Sequence, residues 1–304
     1  MTRLAFTIVD VFTSQRFGGN PLAVVTGADG LDAATMQRIA REFNFSESTF
    51  VSAPPAGSDT AFTVRIFTPT REVPFAGHPN VGTAAVLAET GVFGDIGTGI
   101  DVVFEERAGR VPVRIESRDA GIWCELEAPE ALSLGATWPA EQLATILGLA
   151  PDDIATDGHP PQEASVGLPF LMVELASVEA LARAKVDTAA IDAALAAGMN
   201  TDIHCYVRLD PDGDRERLDT RMFAPHDGVP EDPATGSANC ALVGLLTALD
   251  ARDALDARGS ISQGGVMGRP SALEARTEKR AGAVARVWIG GYSVRFAEGT
   301  LEAC

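Results

Sequence analysis

The sequence Arg-Ile-Phe-Thr-Pro at residues 65–69 returns 156 residues later as Arg-Met-Phe-Ala-Pro at residues 221–225. The β-strand predicted before it matches at the same offset, with Thr-Phe-Val at residues 49–51 opposite Cys-Tyr-Val at residues 205–207. Two matches at one large offset indicate that a whole structural unit is repeated.

A third match lies further along the chain. His-Pro-Asn-Val-Gly-Thr-Ala at residues 78–84 corresponds to Asp-Pro-Ala-Thr-Gly-Ser-Ala at residues 232–238, at an offset of 154. Because half of the 304 residues is 152, one duplication accounts for the whole chain. We predict two domains, residues 1–125 and 126–304, and leave open whether the last strand, about residues 290–304, returns to the first domain.

Local patterns in the first repeat predict a β-rich fold that contains a helix. Asp32 is a favourable N-cap, and apolar residues at helical spacing run from Met36 to Phe43, so we predict a helix that ends near Asn44. Runs rich in β-formers predict strands at residues 4–11, 22–25, 49–53 and 61–67.

Each repeat is also predicted to begin a helix after the repeated strand. Gly82-Thr83 in the first repeat and Gly236-Ser237 in the second precede Ala-rich runs. The first N–H groups of a helix have no intrahelical partner and attract anions. If the two halves face each other, both helix starts converge on one cleft that binds a substrate carboxylate; the alternative is that both are ordinary helix caps.

Three ionisable residues are candidates for chemistry. His78 and Asp232 stand at matched places in the third of these sequence matches, and each is followed by proline. Glu47 lies between the predicted helix and the repeated strand and is flanked by phenylalanines, whose desolvation would raise its pKa toward that of a general acid/base. The alternatives are capping or turn residues for His78 and Asp232 and a solvated carboxylate for Glu47. Asn20 lies in the first predicted turn, and the formation of this turn alone would explain an asparagine at that position.

Composition and missing motifs exclude several functions. The net charge of −18 and the sequence pI of about 4.6, without a basic patch, exclude nucleic acid and anionic membranes as partners. The chain has neither an apolar run of roughly 20 residues nor an export signal, so we predict a cytoplasmic protein. Motifs for nucleotides and catalytic zinc are absent, which predicts no cofactor and no metal. The cysteines are scattered and predict neither disulfides nor a zinc knuckle: Cys124, Cys205, Cys240 and Cys304.

Blocks in a fixed order resemble the PhzF family of phenazine-biosynthesis isomerases. The resemblance spans nearly the whole chain and is carried by residues 9–13, 19–25, 47–51, 65–69, 75–79, 231–238 and 263–270. It implies an α+β fold of the diaminopimelate-epimerase-like type, with two pseudo-symmetric domains. Each domain would be a curved, mostly antiparallel sheet around a central helix, with the active site between the domains.

The resemblance also implies a reaction and roles for residues. The characterised reaction of the family is the isomerisation of trans-2,3-dihydro-3-hydroxyanthranilate, a small amino acid, by a homodimer without a cofactor. Glu47 takes the place of the family's acid/base. From the resemblance and the repeats together we predict Glu47, Asp232 and His78 as catalytic residues. The predicted substrate-binding residues are Asn20, Gly77, Gly82, Thr83, Gly236 and Ser237.

Other activities of the same fold remain as alternatives. Racemases that use two opposed cysteines are disfavoured, because neither predicted helix start carries a cysteine and Cys240 lies several residues into the second helix. A one-base epimerase or lyase acting on another small carboxylic acid stays possible from sequence. A binding protein that retains the fold without activity is a further alternative, although it would have no chemical need to keep the predicted catalytic residues.

Overall fold

A computed structural model describes residues 2–210 and 216–303. Cys304 therefore lies outside the described residues. The chain divides into two compact units, Met1–Glu127 with Gly290–Cys304, and Ala128–Ile289. Each unit is described by itself below.

The helices and strands alternate along the chain, and the last strand contributes to both units. In order they are β1 (Thr2–Val11), β2 (Asn20–Thr26), α1 (Ala33–Phe43), β3 (Glu47–Ser52), β4 (Phe62–Phe67), β5 (Glu72–Val73), α2 (Gly77–Glu89), β6 (Ile100–Glu106), β7 (Gly109–Arg118), β8 (Gly121–Glu127), β9 (Ser133–Thr137), α3 (Ala140–Leu147), β10 (Gln162–Ser165), β11 (Pro169–Glu174), α4 (Val178–Arg183), α5 (Thr188–Ala196), β12 (Ile203–Arg208), β13 (Glu216–Ala224), β14 (Val229–Asp232), α6 (Gly236–Leu249), β15 (Leu255–Gln263), β16 (Ser271–Arg280) and β17 (Ala283–Ala303).

In the first unit the strands close into a barrel around α2. Starting from β1, the neighbours are β2, β3, β4, β6, β7, β8 and the last part of β17, which pairs with β1 again. The pairs β2–β3 and β4–β6 are parallel. Residues 77–87 of α2 are all buried. A helix enclosed on every side needs apolar or small residues all around, which the Ala- and Val-rich sequence of α2 supplies.

The second unit repeats this strand order around α6. Strand β11 pairs parallel with β12, which pairs antiparallel with β13, and β13 pairs parallel with β15, which pairs antiparallel with β16. The parallel pairs have matching registers, because Leu22 is opposite Glu47 in the first unit and Leu171 is opposite Ile203 in the second. Helix α6 packs against β10, β11, β15 and β16. The predicted α+β fold with two pseudo-symmetric halves is confirmed.

The local signals in the first repeat are confirmed as well. The side chain of Asp32 accepts a hydrogen bond from the Thr35 N–H at 2.7 Å and caps α1. Asn44 has a φ of 54° and ends the helix in the left-handed conformation. At the β1–β2 connection, Gly19 has a φ of 61°, and a Cβ there would collide with the Val11 carbonyl oxygen. Only glycine fits this turn.

The predicted start of the helix in the first repeat is wrong. Helix α2 begins at Gly77, so Gly82 and Thr83 lie inside it, beyond the first turn. Only the first four N–H groups of a helix lack an intrahelical partner, and these two residues are past that point. Gly82 instead packs against β1 and β2, and the Thr83 hydroxyl is hydrogen-bonded to that of Thr49 at 2.9 Å in the core. Neither residue can form the predicted anion site. In the second repeat α6 begins at Gly236, as predicted.

The structure aligns the two central helices, α2 and α6, at an offset of 159 residues instead of the 154 of the sequence match. Asn80 donates a hydrogen bond from Nδ2 to the carbonyl oxygen of the N-cap residue Ala76 at 3.0 Å. Asn239 makes the same bond to its N-cap residue Thr235, also at 3.0 Å. The strands keep the offset of 156. Among the described residues, the helices include none that is long and apolar enough to cross a membrane.

Candidate active site

The first unit brings Glu47 and His78 together at the start of α2. His78 is the second residue of α2, and Glu47 is the first residue of β3. The Nε2 atom of His78 lies 3.6 Å from Oε2 of Glu47. The side chain of His78 is 5% exposed and that of Glu47 is 20% exposed. Glu47 therefore reaches the surface while the imidazole behind it is buried.

A short hydrogen-bonded chain orients the imidazole from the other side. Asn20 Nδ2 lies 3.4 Å from Nδ1 of His78, and Ser46 Oγ donates to Oδ1 of Asn20 at 3.0 Å. With its Oδ1 occupied as an acceptor, Asn20 presents its amino group to Nδ1, so the ring proton of a neutral His78 resides on Nε2, toward Glu47. Burial lowers the pKa of His78 to about 3, which keeps the ring neutral near pH 7. His78 can thus donate a hydrogen bond to Glu47 or to a ligand without carrying charge.

In the second unit, Asp232 ends β14 and stands just before α6. Thr235 Oγ1 donates a hydrogen bond of 2.5 Å to Oδ2 of Asp232, and Gln263 Nε2 donates to the Asp232 carbonyl oxygen at 2.8 Å. Ser237 is the second residue of α6 and follows Gly236. The helix start and the carboxylate are therefore held on one short segment.

Buried amides and an imidazole support this segment from behind. Gln263 Oε1 accepts hydrogen bonds from the Thr235 N–H at 3.1 Å and from Asn239 Nδ2 at 2.8 Å. Asn239 Oδ1 lies 3.1 Å from Nε2 of His204. Burial lowers the pKa of His204 to about 4, and the hydrogen bond to Asn239 opposes part of this shift. This neutral network fixes the position of the α6 start.

The structure changes which residues correspond between the repeats. His78 and Asp232 are not at equivalent places, because His78 is within the first turn of α2 whereas Asp232 precedes α6 by four residues. At the offset of 159, the counterpart of His78 is Ser237. Of the predicted residues, the first unit gathers Glu47, His78, Asn20 and Gly77, and the second gathers Asp232, Gly236 and Ser237, while Gly82 and Thr83 lie in the core.

Sequence reasoning missed the supporting residues Ser46, Asn80, His204, Asn239 and Gln263. Gln263 opens one of the blocks that resemble the PhzF family, which is the one signal that points to it. The two helix asparagines are recognisable only once the offset of 159 is known. Single buried polar residues have no periodic pattern of their own, and their partners come from distant parts of the sequence.

Three cysteines lie within the described residues. Cys124, Cys205 and Cys240 are buried, and none of the three forms a disulfide with another described residue. Burial raises the pKa of Cys205 to about 12 and that of Cys124 still further, so both remain thiols near neutral pH. Over residues 2–210 and 216–303, no cluster of three or more His, Cys, Asp or Glu residues is arranged to hold a metal ion.

The fold is that of the epimerase-like α+β enzymes. A hydroxyproline epimerase from Agrobacterium vitis superposes with a TM-score of 0.62 over 99% of this chain and 91% of that protein, at 15% identity. A PhzF-family phenazine biosynthesis protein from Bacillus anthracis superposes with a TM-score of 0.84 over 99% of this chain and all of that one, at 25% identity. The fold class is thus shared with proteins of very different sequence.

Sequence similarity assigns the family. The family model described as phenazine biosynthesis-like protein matches residues 9–299. The trans-2,3-dihydro-3-hydroxyanthranilate isomerase of Pseudomonas fluorescens is 37% identical, over 97% of this chain and 98% of its own. An uncharacterized isomerase of Mesorhizobium japonicum is also 37% identical, with the same coverage. The chain belongs to the PhzF family, and it is an isomerase.

Proposed function

We propose that this isomerase acts on trans-2,3-dihydro-3-hydroxyanthranilate or a similar small amino or hydroxy acid, without a cofactor, and that Glu47 is its single acid/base. The observation that carries the proposal is the pairing of the partly exposed Glu47 carboxylate with a buried, neutral His78 at 3.6 Å. The relative from Pseudomonas fluorescens, a trans-2,3-dihydro-3-hydroxyanthranilate isomerase that is 37% identical along the chain, supports the substrate class.

The proposed reaction is a proton shift within one molecule. The Glu47 carboxylate accepts a proton from an activated carbon, and the electron pair of the broken C–H bond moves into the conjugated system. The same carboxyl group then delivers the proton to another carbon, so that atoms and charge balance without a redox partner. The Nε2–H of His78 stabilises the carboxylate form of Glu47, which is present before the first step and again after the second. Such catalytic contacts are often long before substrate binds, which fits the separation of 3.6 Å.

We further propose that the start of α6 in the second unit is a segment that binds polar groups of a substrate. Asp232 is a suitable partner for an amino group, and the N–H groups of Gly236 and Ser237 at the start of α6 suit a carboxylate. The N–H of Gly77 offers a similar donor in the first unit. The family resemblance also supports a homodimer, which light scattering of the purified protein tests directly.

The substitution Glu47→Gln tests the acid/base role. Glutamine keeps the size and hydrogen-bonding reach of glutamate but cannot take up the proton, so we expect ligand binding and stability to persist while turnover falls by on the order of 10² to 10⁴-fold. Turnover of trans-2,3-dihydro-3-hydroxyanthranilate in D₂O is followed by NMR, with Glu42→Gln, on the exposed side of α1, as the matched control.

Three results would contradict parts of the proposal. Wild-type turnover by Glu47→Gln would exclude Glu47 and make Asp232 the next carboxylate to test. Deuterium incorporation with inversion at a single carbon, rather than a shift between carbons, would identify a one-base epimerase. A stoichiometric metal ion or a visible chromophore in the active protein would contradict cofactor independence.

A further inference from the structure

Glu106 is a buried carboxylic acid for which the proposed mechanism has no use. It is the last residue of β6, is 7% exposed and follows Val102 and Phe104 on the inward face of the strand. Neither carboxyl oxygen has a hydrogen-bond partner of good geometry within the part of the chain that the structure describes. Its polar neighbour is Asn80 on α2, whose Oδ1 also lacks a donor within the same residues. Buried polar atoms without partners are rare and call for a physical reason.

The duplication gives Glu106 a counterpart in the second unit. In the parallel pair β4–β6, Phe62 is opposite Phe104. In the parallel pair β13–β15, Leu218 is opposite Ile261. Two residues beyond these positions stand Glu106 and Gln263, each at the last position of its strand. The two helices match in the same way, because Asn80 and Asn239 both bond to their N-cap carbonyls. Glu106 beside Asn80 is therefore the equivalent of Gln263 beside Asn239.

Gln263 shows what this position does. Its Nε2 donates to the Asp232 carbonyl oxygen and, at 3.0 Å, to Thr235 Oγ1, while its Oε1 accepts from Asn239. The side chain thus ties the start of α6 to the strand in front of it. This requires a group that both donates and accepts hydrogen bonds. A carboxylate only accepts, whereas a protonated carboxylic acid does both, as a primary amide does.

We propose that Glu106 is a positioning residue: it is held protonated, takes in the first unit the place that Gln263 has in the second, and fixes through Asn80 the helix start that carries Gly77 and His78. The protonated carboxyl donates to Oδ1 of Asn80, which gives a partner to that oxygen and to the protonated oxygen of Glu106, and Asn80 Nδ2 keeps its bond to the Ala76 carbonyl. Burial raises the pKa of Glu106 to about 8, and Asn80 offsets part of this shift.

The charged groups around Glu106 are engaged elsewhere. On β4, Arg65 pairs with Glu72 of β5, and Arg107, next to Glu106 in the chain, contacts the same glutamate. On β7, Arg110 pairs with Asp59, while Arg114 and Arg118 contact Glu116. Glu105 lies on the opposite face of β6 by strand alternation. Further titratable groups on the elements packed nearby are Asp101 on β6, which contacts Arg114, His78 and Glu89 on α2, the latter 3.7 Å from Arg295, and Cys124, Glu125 and Glu127 on β8.

An NMR titration of the full-length protein tests the proposal without any substrate. Backbone amide signals of Gly77 and His78 are followed from pH 6 to pH 9.5 in wild type and in Glu106→Gln. In wild type we expect them to shift with a midpoint near 8, because loss of the Glu106 proton sets a carboxylate against the Oδ1 of Asn80. In Glu106→Gln, where the amide replaces the acid, they stay constant. Constant signals in wild type, or the same shift in both proteins, would overturn the proposal.

Gln263→Glu is the matched variant in the second unit. It places an acid in the equivalent position, so the amides of Gly236 and Ser237 should become dependent on pH in this variant while those of wild type are not. If Gln263→Glu folds and its Gly236 and Ser237 amides do not titrate, the equivalence of the two positions is wrong. The comparison of wild type with Glu106→Gln stands even if this second variant fails to fold.

A kinetic experiment adds the functional consequence and rests on the proposed function. From pH 7 to pH 9, kcat of wild type should fall up to about tenfold more than that of Glu106→Gln, since about one molecule in ten keeps a proton of pKa about 8 at pH 9. KM should change little, because the effect is on the placement of His78. Equal pH profiles for the two proteins would contradict the positioning role. If the substrate assignment fails instead, turnover is absent at every pH while the NMR result is unaffected.

Discussion

The starts of α2 and α6 are built on the same backbone but differ in how completely their polar side chains are paired. The residues around α6 form a connected hydrogen-bonded network of Asp232, Thr235, Gln263, Asn239 and His204, in which Nδ1 of His204 lacks a partner among the described residues. Around α2, the corresponding region holds Glu47, His78 and Glu106, with a contact of 3.6 Å and buried atoms without good hydrogen bonds among the described residues.

Under the proposed function, this difference suits two different roles. More complete hydrogen bonding holds groups in one place and one protonation state, which suits a segment that binds and orients a ligand. Incompletely paired acids and bases keep protonation states that can change, which suits proton transfer. We expect the two repeats to differ also in how stability depends on their equivalent residues.

The largest expected difference in stability concerns two equivalent arginines. Arg221 is 8% exposed, forms a bidentate pair with Glu231 and donates to the carbonyl oxygens of Leu181 and Ala184 at the end of α4. Arg221→Met leaves the carboxylate of Glu231, which is 16% exposed, and these carbonyls without their donor. We expect a loss of about 3–5 kcal/mol in the free energy of unfolding, measured by urea denaturation.

Arg65→Met is the matched change in the first unit. Arg65 is 27% exposed and pairs with Glu72, but Glu72 also contacts Arg107 at 3.3 Å. Because the carboxylate keeps a partner, we expect a loss of roughly 1 kcal/mol. Equal losses for the two arginine variants would show that the buried contacts to α4 contribute nothing measurable.

The next prediction concerns stability at acid pH. His78 and His204 have folded pKa values of about 3 and about 4, below the ordinary value of 6.5. At these two sites the unfolded chain binds protons more strongly than the folded protein, so both histidines lower stability as the pH drops below 6.5. Glu106, with a folded pKa of about 8, acts in the opposite direction over the same range. From pH 7 to pH 5 each histidine should lower stability by about 2 kcal/mol.

Single substitutions separate the two histidines. Between pH 7 and pH 5, the change in stability of His204→Gln and of His78→Gln should each be about 2 kcal/mol more favourable than that of wild type. Below pH 4 the two variants should differ. In His78→Gln the remaining His204 is then protonated in the folded protein as well and lowers stability no further. In His204→Gln the remaining His78 continues to lower stability toward pH 3. Urea midpoints measured at several pH values give both slopes. An unchanged pH dependence in both variants would mean that neither imidazole is held neutral by burial.

Several parts of the fold were predictable because their signals are local or repeated. The capping residues Asp32 and Asn44 mark both ends of α1. The offset of 156 correctly aligns β3 with β12 as equivalent strands of the two repeats. Glu47 and Ile203, which correspond at this offset, are the first residues of these strands. Glu47 and His78 were predicted from their place in the repeat and from the resemblance, and the structure brings them within 3.6 Å.

The helix start failed because small residues serve two different purposes. The string Gly-Thr-Ala at residues 82–84 resembles Gly-Ser-Ala at residues 236–238, yet the first lies where α2 crosses β1 and β2 closely and the second opens α6. A glycine needed for close packing and a glycine at a helix start look the same in sequence. The buried partners Gln263 and His204 were invisible for another reason, since their roles depend on contacts between distant segments.

The last prediction uses this difference between the two glycine roles. At the offset of 159, Gly82 in α2 corresponds to Ala241 in α6. A Cβ on Gly82 would lie 2.6 Å from Leu22 Cδ2 and 2.7 Å from Val11 Cγ2, and the stiff valine cannot rotate away easily. Overpacking of this kind costs about 1–3 kcal/mol, of which the better helix propensity of alanine returns up to about 1 kcal/mol. Gly82→Ala should therefore destabilise the protein by about 1–2 kcal/mol.

Ala241→Gly is the reciprocal change and should cost about 1 kcal/mol from helix propensity together with a small loss of buried contacts. Both variants are measured by urea denaturation, and isomerase activity below the unfolding transition should stay near that of wild type, because neither residue lies at a helix start. If Gly82→Ala kept full stability but lost activity, Gly82 would belong to the ligand site after all. The alignment of α2 with α6 at an offset of 159 would then not describe the ligand site, and the sequence match at an offset of 154 would describe it better.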